Sequence, residues 1–166
     1  MIHPRIAKRH SRFPLFLLDA IGFYGGELPT LSSLQIQAVA SLGKDWLALR
    51  KPDRALTYFS QQLDLAERSG DMRNQAFALN HLGIAHDLLG HYPQAIEFHD
   101  KARLISEKLR DKDSVAGSLF NAARAYIGLE DAVAAISTAE EALKLYDEVD
   151  SVHTENVRSA LQNGAS

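Results

Sequence analysis

The stretch Leu79-Asn80-His81-Leu82-Gly83-Ile84-Ala85-His86-Asp87-Leu88-Leu89, followed by Gly90-His91-Tyr92-Pro93-Gln94-Ala95, decides the fold. Leu79, Leu82, Gly83, His86 and Leu89 fall at helical spacing and make one apolar stripe. Gly90 to Pro93 ends that helix and opens another, with proline near its first turn. The second helix presents Ala95, Phe98, Ala102 and Ile105. Two helices joined this tightly form an antiparallel hairpin.

The pattern recurs without a gap on either side, always at the same interval. Leu42-Gly43, Leu82-Gly83 and Ala122-Ala123 share one pair of columns, and Ala55, Ala95 and Ala135 share another. Trp46, His86 and Tyr126 repeat at the same spacing, as do Leu49, Leu89 and Leu129, and Leu65, Ile105 and Leu145. Breaks fall at Arg50-Lys51-Pro52-Asp53 and at Glu130-Asp131. Between repeats, Ser69-Gly70-Asp71 supplies a glycine stop and an aspartate cap, and Asp113-Ser114 is placed to cap the third repeat. Gly43 and Gly83, with Ala55 and Ala95, allow close backbone approach, while the large residue three places after the glycine fills space beside the crossing.

A hairpin of this kind cannot bury its stripe alone, so neighbours must stack. The expected fold is all-α: three helical hairpins at about 31–70, 71–110 and 111–150. Residues 151–166 read as a capping helix and tail, with Val152, Val157, Ala160 and Leu161 over the last apolar face. Residues 1–30 read as a basic arm and a short apolar helix starting at Pro14. Phe13, Leu15, Phe16, Leu17, Ile21 and Phe23 either cap the first repeat or drive self-association, in a groove of the same or a second copy. Pro14 and Asp19 interrupt this run, which argues against a secretory signal.

At 166 residues, 46% hydrophobic and 23% charged, the chain is long enough for one domain with a core. A net charge of -3 gives no reason to expect nucleic acid. With no cysteine there is no disulfide, thiol nucleophile or cysteine-ligated metal. The lack of cysteine fits a reducing cytoplasm, the expected location, and no run reaches the ~20 apolar residues a membrane helix needs. The charge is uneven: Arg5, Lys8, Arg9 and Arg12 stand without an acid in residues 1–12. Residues 129–150 carry Glu130, Asp131, Glu140, Glu141, Asp147, Glu148 and Asp150 against Lys144. These surfaces attract each other, within or between chains, or are simply solvated.

Leu-Gly, then a large aromatic, then an alanine one turn into the second helix resembles the tetratricopeptide repeat. The period resembles the 40-residue variety of kinesin light chains, spindle-orientation adaptors and bacterial signalling proteins, over residues ~36–150. His99 and Ala139 depart from the bulky apolar residue to which Phe59 conforms, Gln62 departs from alanine, and Ala122-Ala123 replaces Leu-Gly in a hairpin expected to be wider. The resemblance implies a right-handed α-solenoid whose first helices line a concave groove for a peptide segment of a protein partner. By position the groove sites are Gln37, Ala40, Ser41, Lys44 and Leu47; Phe77, Asn80, His81, Ile84 and Asp87; Gly117, Phe120, Asn121, Arg124 and Ile127. Asn121 is placed to bind a ligand backbone, and Lys44 and Arg124 a ligand carboxylate. The lysine–asparagine–arginine clamp for chaperone tails survives only in fragments, so such tails are not expected.

Chemistry has few candidates. His81, His86, His91 and His99 are spaced five, five and eight apart, unlike the i, i+4 pairs that hold metals on helices. There is no phosphate-binding glycine loop, and Glu140-Glu141 lies on a helix surface. Neither metal, cofactor nor catalytic activity is expected. The leading function is an adaptor or scaffold; the alternatives are a self-associating structural solenoid, with a possible homodimer, and a regulatory piece of a larger signalling or transcription protein.

Overall fold

The structure is a computed structural model, and it describes residues 30–164. The arm and apolar run of residues 1–29, including Phe13 to Phe23, lie outside the described residues. Among the described residues seven helices follow one another: α1 (Leu31–Ala48), α2 (Pro52–Ser69), α3 (Met72–Leu88), α4 (Tyr92–Lys108), α5 (Lys112–Gly128), α6 (Ala132–Glu148) and α7 (Thr154–Gly164). No strand occurs among the described residues. From α2 onward each helix packs on the next, and α3 also meets α5, so the layers form an all-α solenoid of hairpins.

The links explain the regularity. Arg50, Gly70, Gly90, Arg110, Glu130 and Asp150 all have positive φ, between 50° and 75°, so a left-handed residue recurs at even intervals along the chain. Each sets up the same helix stop: the amide of the following residue donates back to the carbonyl of Trp46, Ala66, His86, Ser106, Tyr126 or Tyr146. Only two of the six positions are glycine, the residue that adopts this conformation freely.

The starts use two devices. Asp71, Asp111 and Asp131 accept from the amides of Asn74, Ser114 and Ala134 at 3.0–3.1 Å. Helices α2 and α4 lack a side-chain cap and begin with Pro52 and Pro93 in the first turn. The cap of the third repeat is therefore Asp111, not Asp113, whose carboxylate instead accepts from the Ser151 hydroxyl at 2.6 Å. Position 111 falls in the 71/111/131 column, from which a short carboxylate reaches the third amide of the helix. Asp71→Ala should cost about 1 kcal/mol, read as a lower urea midpoint with an unchanged slope.

The core corrects the expected hairpin packing. A Cβ on Gly43 would run into the ring of Phe59, and one on Gly83 into the ring of His99. Both rings are fully buried, and each follows its glycine at the same interval. The hairpin thus closes around a ring seated over a glycine, with Ala55 and Ala95 also buried in the interface. Trp46, expected beside the crossing, is half-buried at the hairpin end with Lys51 and Arg54 over its ring. His86 stacks on Phe98 at 5.2 Å between centroids. In the third repeat the pair is Ala123 and Ala139, both buried: the bulk moves from the second helix to the Cβ of the first.

Not every repeated leucine is core. Leu49 and Leu129, just past their helices, are exposed, and so is Leu42, whereas Leu82 is buried. In the last helix Val157 is fully buried against Ala116 and Tyr146, with Leu161 packed beside it. Val152, expected in that cap, is 87% exposed because α7 begins only at Thr154, and Ala160 is exposed too.

Candidate peptide-binding face

Helices α1, α3 and α5 are the first helices of the three hairpins, and their shared face carries the expected groove residues. Two contacts cross between α3 and α5. Asn121 donates its amide to Asn80 Oδ1 at 3.2 Å, and Arg124 Nη2 lies 3.3 Å from Asp87 Oδ2. These pairs run in the same order along both helices, which are therefore parallel neighbours.

The Asn80 oxygen accepts a second bond, from His99 Nδ1 at 2.7 Å, which assigns the Nδ1–H tautomer because the amide oxygen offers no proton. The chain His99–Asn80–Asn121 thus ties the buried ring of α4 to the surface of α3 and α5. His99 Nε2 has no hydrogen-bond partner. Burial, aided by the nearby Arg124 cation, pushes the His99 pKa down to about 4. Asp87 is shifted up by burial, against the opposing pull of Arg124.

Between α1 and α3 the face differs. Gln37, Ser41 and Lys44 are exposed on α1. His81 is half-buried and stacks on Phe59, centroids 4.7 Å apart. Burial and the Lys44 charge lower its pKa, while the Phe77 backbone partly offsets them. Phe77 is 40% exposed. Beside Phe77 and Asn80 a cavity of about 130 Å³ is walled by Ser114, Gly117, Tyr146 and His153.

The structure thus joins Asn80 with Asn121, Asp87 with Arg124, and His81 with the surroundings of Lys44. Phe120 is half-buried against the third-repeat core. Arg124, expected to hold a ligand carboxylate, already has an anionic neighbour in Asp87. The part of His99 was missed; its signal was its place after Gly83, at the interval that also separates Phe59 from Gly43. The histidines do not converge: His81 stacks on Phe59 of α2, His99 is core, and His86 and His91 meet at 3.4 Å between Nδ1 atoms. Among the described residues no three metal-ligating side chains gather.

Residues 37–103 match the sequence pattern of the tetratricopeptide repeat family. Over that stretch the chain carries tetratricopeptide repeats. The match spans most of the first two hairpins, and the third has the helix lengths of the second and the same kind of links. Tetratricopeptide domains generally mediate protein–protein interaction. Among curated proteins, the chain is 28% identical over 105 residues to Protein FLUORESCENT IN BLUE LIGHT, chloroplastic, from Arabidopsis thaliana. That alignment covers 63% of this chain and 31% of the relative, so the chain spans about a third of the length of the protein it matches. Among solved structures, the N-terminal domain of stress-induced protein-1 (STI-1) from C. elegans superposes with a TM-score of 0.63 at 14% identity, covering 82% of this chain and 99% of that one. The TPR domain of Arabidopsis FLU gives 0.59 at 23% identity, covering 80% and 98%. At these identities the two structures speak for the fold. Among the described residues no helix is long and apolar enough to cross a membrane.

Proposed function

We propose that this domain is a non-catalytic adaptor that holds a segment of another protein along the face of α1, α3 and α5. The observation that carries the reading is the contrast along that face. Around α5 the polar groups are already paired, Asn121 with Asn80 and Arg124 with Asp87, which makes a preorganised wall. Elsewhere on the face two groups are left open: the phenyl ring of Phe77 on α3 and the ammonium of Lys44 on α1 are exposed. An exposed apolar ring and an exposed cation on one face suit a peptide that carries both a bulky side chain and a carboxylate. The depressed imidazoles are accounted for by burial and by Lys44 or Arg124, with no need of a catalytic role.

The test uses a photo-crosslinking amino acid placed at Phe77 or, as control, at exposed Gln61 on α2. The Phe77 position should capture one defined peptide segment, and adding Lys44→Glu should reduce that yield about tenfold. Equal capture from both positions, or insensitivity to Lys44→Glu, removes the groove reading.

A further inference from the structure

The link between the two helices of the second hairpin carries a pair of histidines that its backbone holds together. His86 stands in the last turn of α3, and Gly90 reverses the chain with a φ of 75°. The amide of His91 then donates to the His86 carbonyl at 2.9 Å, the contact by which each described link stops its helix. The same contact pairs Trp46 with Lys51 in the first hairpin and Tyr126 with Asp131 in the third. It brings side chains together as well as backbone: Lys51 Nζ lies 5.6 Å from the centre of the Trp46 ring. Among the described links, only the one at Gly90 pairs two imidazoles. The His86 ring is seated on Phe98 of α4, with centroids 5.2 Å apart and planes 12° from parallel. His91 is exposed, so one ring is fixed by packing and the other is open to solvent.

We infer that His86 and His91 form a surface zinc site that clips α3 to α4 across their link. The decisive quantity is the distance between the rings. Their Nδ1 atoms are 3.4 Å apart while the ring centroids are 5.6 Å apart, so the two nitrogen edges face each other and the rings point away. A hydrogen bond from an N–H usually measures about 2.7–3.2 Å, so the pair stands too wide for a good one. It has instead the spacing of two imidazoles on a tetrahedral zinc, whose bonds of about 2.0–2.1 Å put their nitrogens about 3.3–3.4 Å apart. An octahedral ion with bonds of the same length needs about 2.9 Å. Zinc takes the lone pairs of both Nδ1 atoms and leaves each ring its proton on Nε2. Among the described residues no third ligand joins the pair, so the other two positions of the tetrahedron hold water. A spacing of five argues against a shared metal on one continuous helix. These two residues lie on either side of a helix stop, where that rule does not apply.

The inference is independent of the peptide face, to which neither histidine belongs. The test titrates the metal-free full chain with zinc chloride and follows each imidazole nitrogen by long-range proton–nitrogen correlation spectra. The Nδ1 signals of His86 and His91 should shift together and saturate in the micromolar range, while the buried ring of His99 stays in place. Magnesium, which takes oxygen ligands, should move neither. His91→Asn keeps a side chain favoured at a helix start, and it should weaken the zinc response of His86 about tenfold or more. His86→Phe keeps a ring against Phe98 and should do the same to the response of His91. Unfolding midpoints without zinc should stay near that of the parent chain, so that the losses report the ligands and not the fold. The parent chain alone is able to refute the site: no common shift up to millimolar zinc, a shift of one ring without the other, or an equal response to magnesium overturns the inference. So does a His86 response that His91→Asn leaves undiminished.

Discussion

Replacing Phe59 with alanine should lower the stability of the fold by about 3–5 kcal/mol, the range for emptying a fully buried aromatic site. The ring is wholly inaccessible, lies over Gly43, stacks with His81 and packs into the cluster of Ala55 and Leu82. The reverse error, Gly43→Ala, should also destabilise, by about 1–3 kcal/mol, because the added methyl meets a ring with nowhere to move. That loss opposes the helix-propensity gain of about 1 kcal/mol that alanine would otherwise bring. The two changes together should cost less than their sum, since the new methyl enters the space the ring has left. The third hairpin already contains this combination as Ala123 and Ala139, both buried. Urea unfolding of the two single variants and the double variant measures the coupling. Strict additivity would show that glycine and ring are not a packing unit.

The second large effect concerns pH. His99 is held neutral, its pKa down to about 4 from 6.5, by burial and the nearby Arg124. The folded state thus resists a proton that the unfolded chain accepts. Its contribution to stability is complete above pH 6.5 and is lost as the pH falls towards 4. The full shift corresponds to about 3 kcal/mol at most. His81 and His86, also lowered by burial, act in the same direction. His99→Phe, which copies Phe59 of the first hairpin, should flatten the decline between about pH 7 and pH 4.5 by about 2–3 kcal/mol. The comparison of the two chains cancels the carboxylates they share. Parallel declines would move the origin of the acid sensitivity away from His99.

How far the sequence revealed this molecule depends on the range of each interaction. The helices and links were legible because their signals are local: Pro52 and Pro93 at starts, Gly70 and Gly90 at stops, apolar spacing between. The left-handed residues Arg50, Arg110, Glu130 and Asp150 carry no such mark, yet the column shared with Gly70 and Gly90 identifies them afterwards. Asp113 misled because it stands just beyond the aspartate that caps, and only the backbone path separates them. The ring-over-glycine pairs escaped because they join residues on opposite helices, where register depends on how a hairpin closes. The same limit hid the engagement of Arg124 by Asp87, which crosses from one repeat to the next. The face that holds the expected groove residues follows from helical periodicity; which of its groups are already occupied does not.

The six left-handed links, evenly spaced along the chain, make the turn inside a hairpin and the turn between hairpins nearly the same object. A chain built this way has no privileged joint. A whole hairpin removed or duplicated at matching links leaves every remaining link with its ordinary neighbours, and the phase of all later helices is preserved. Length in such a molecule is therefore a variable that recombination can change in whole steps without inventing a new junction, while the specialised pair of alanines in the last hairpin marks where the series ceases to be interchangeable.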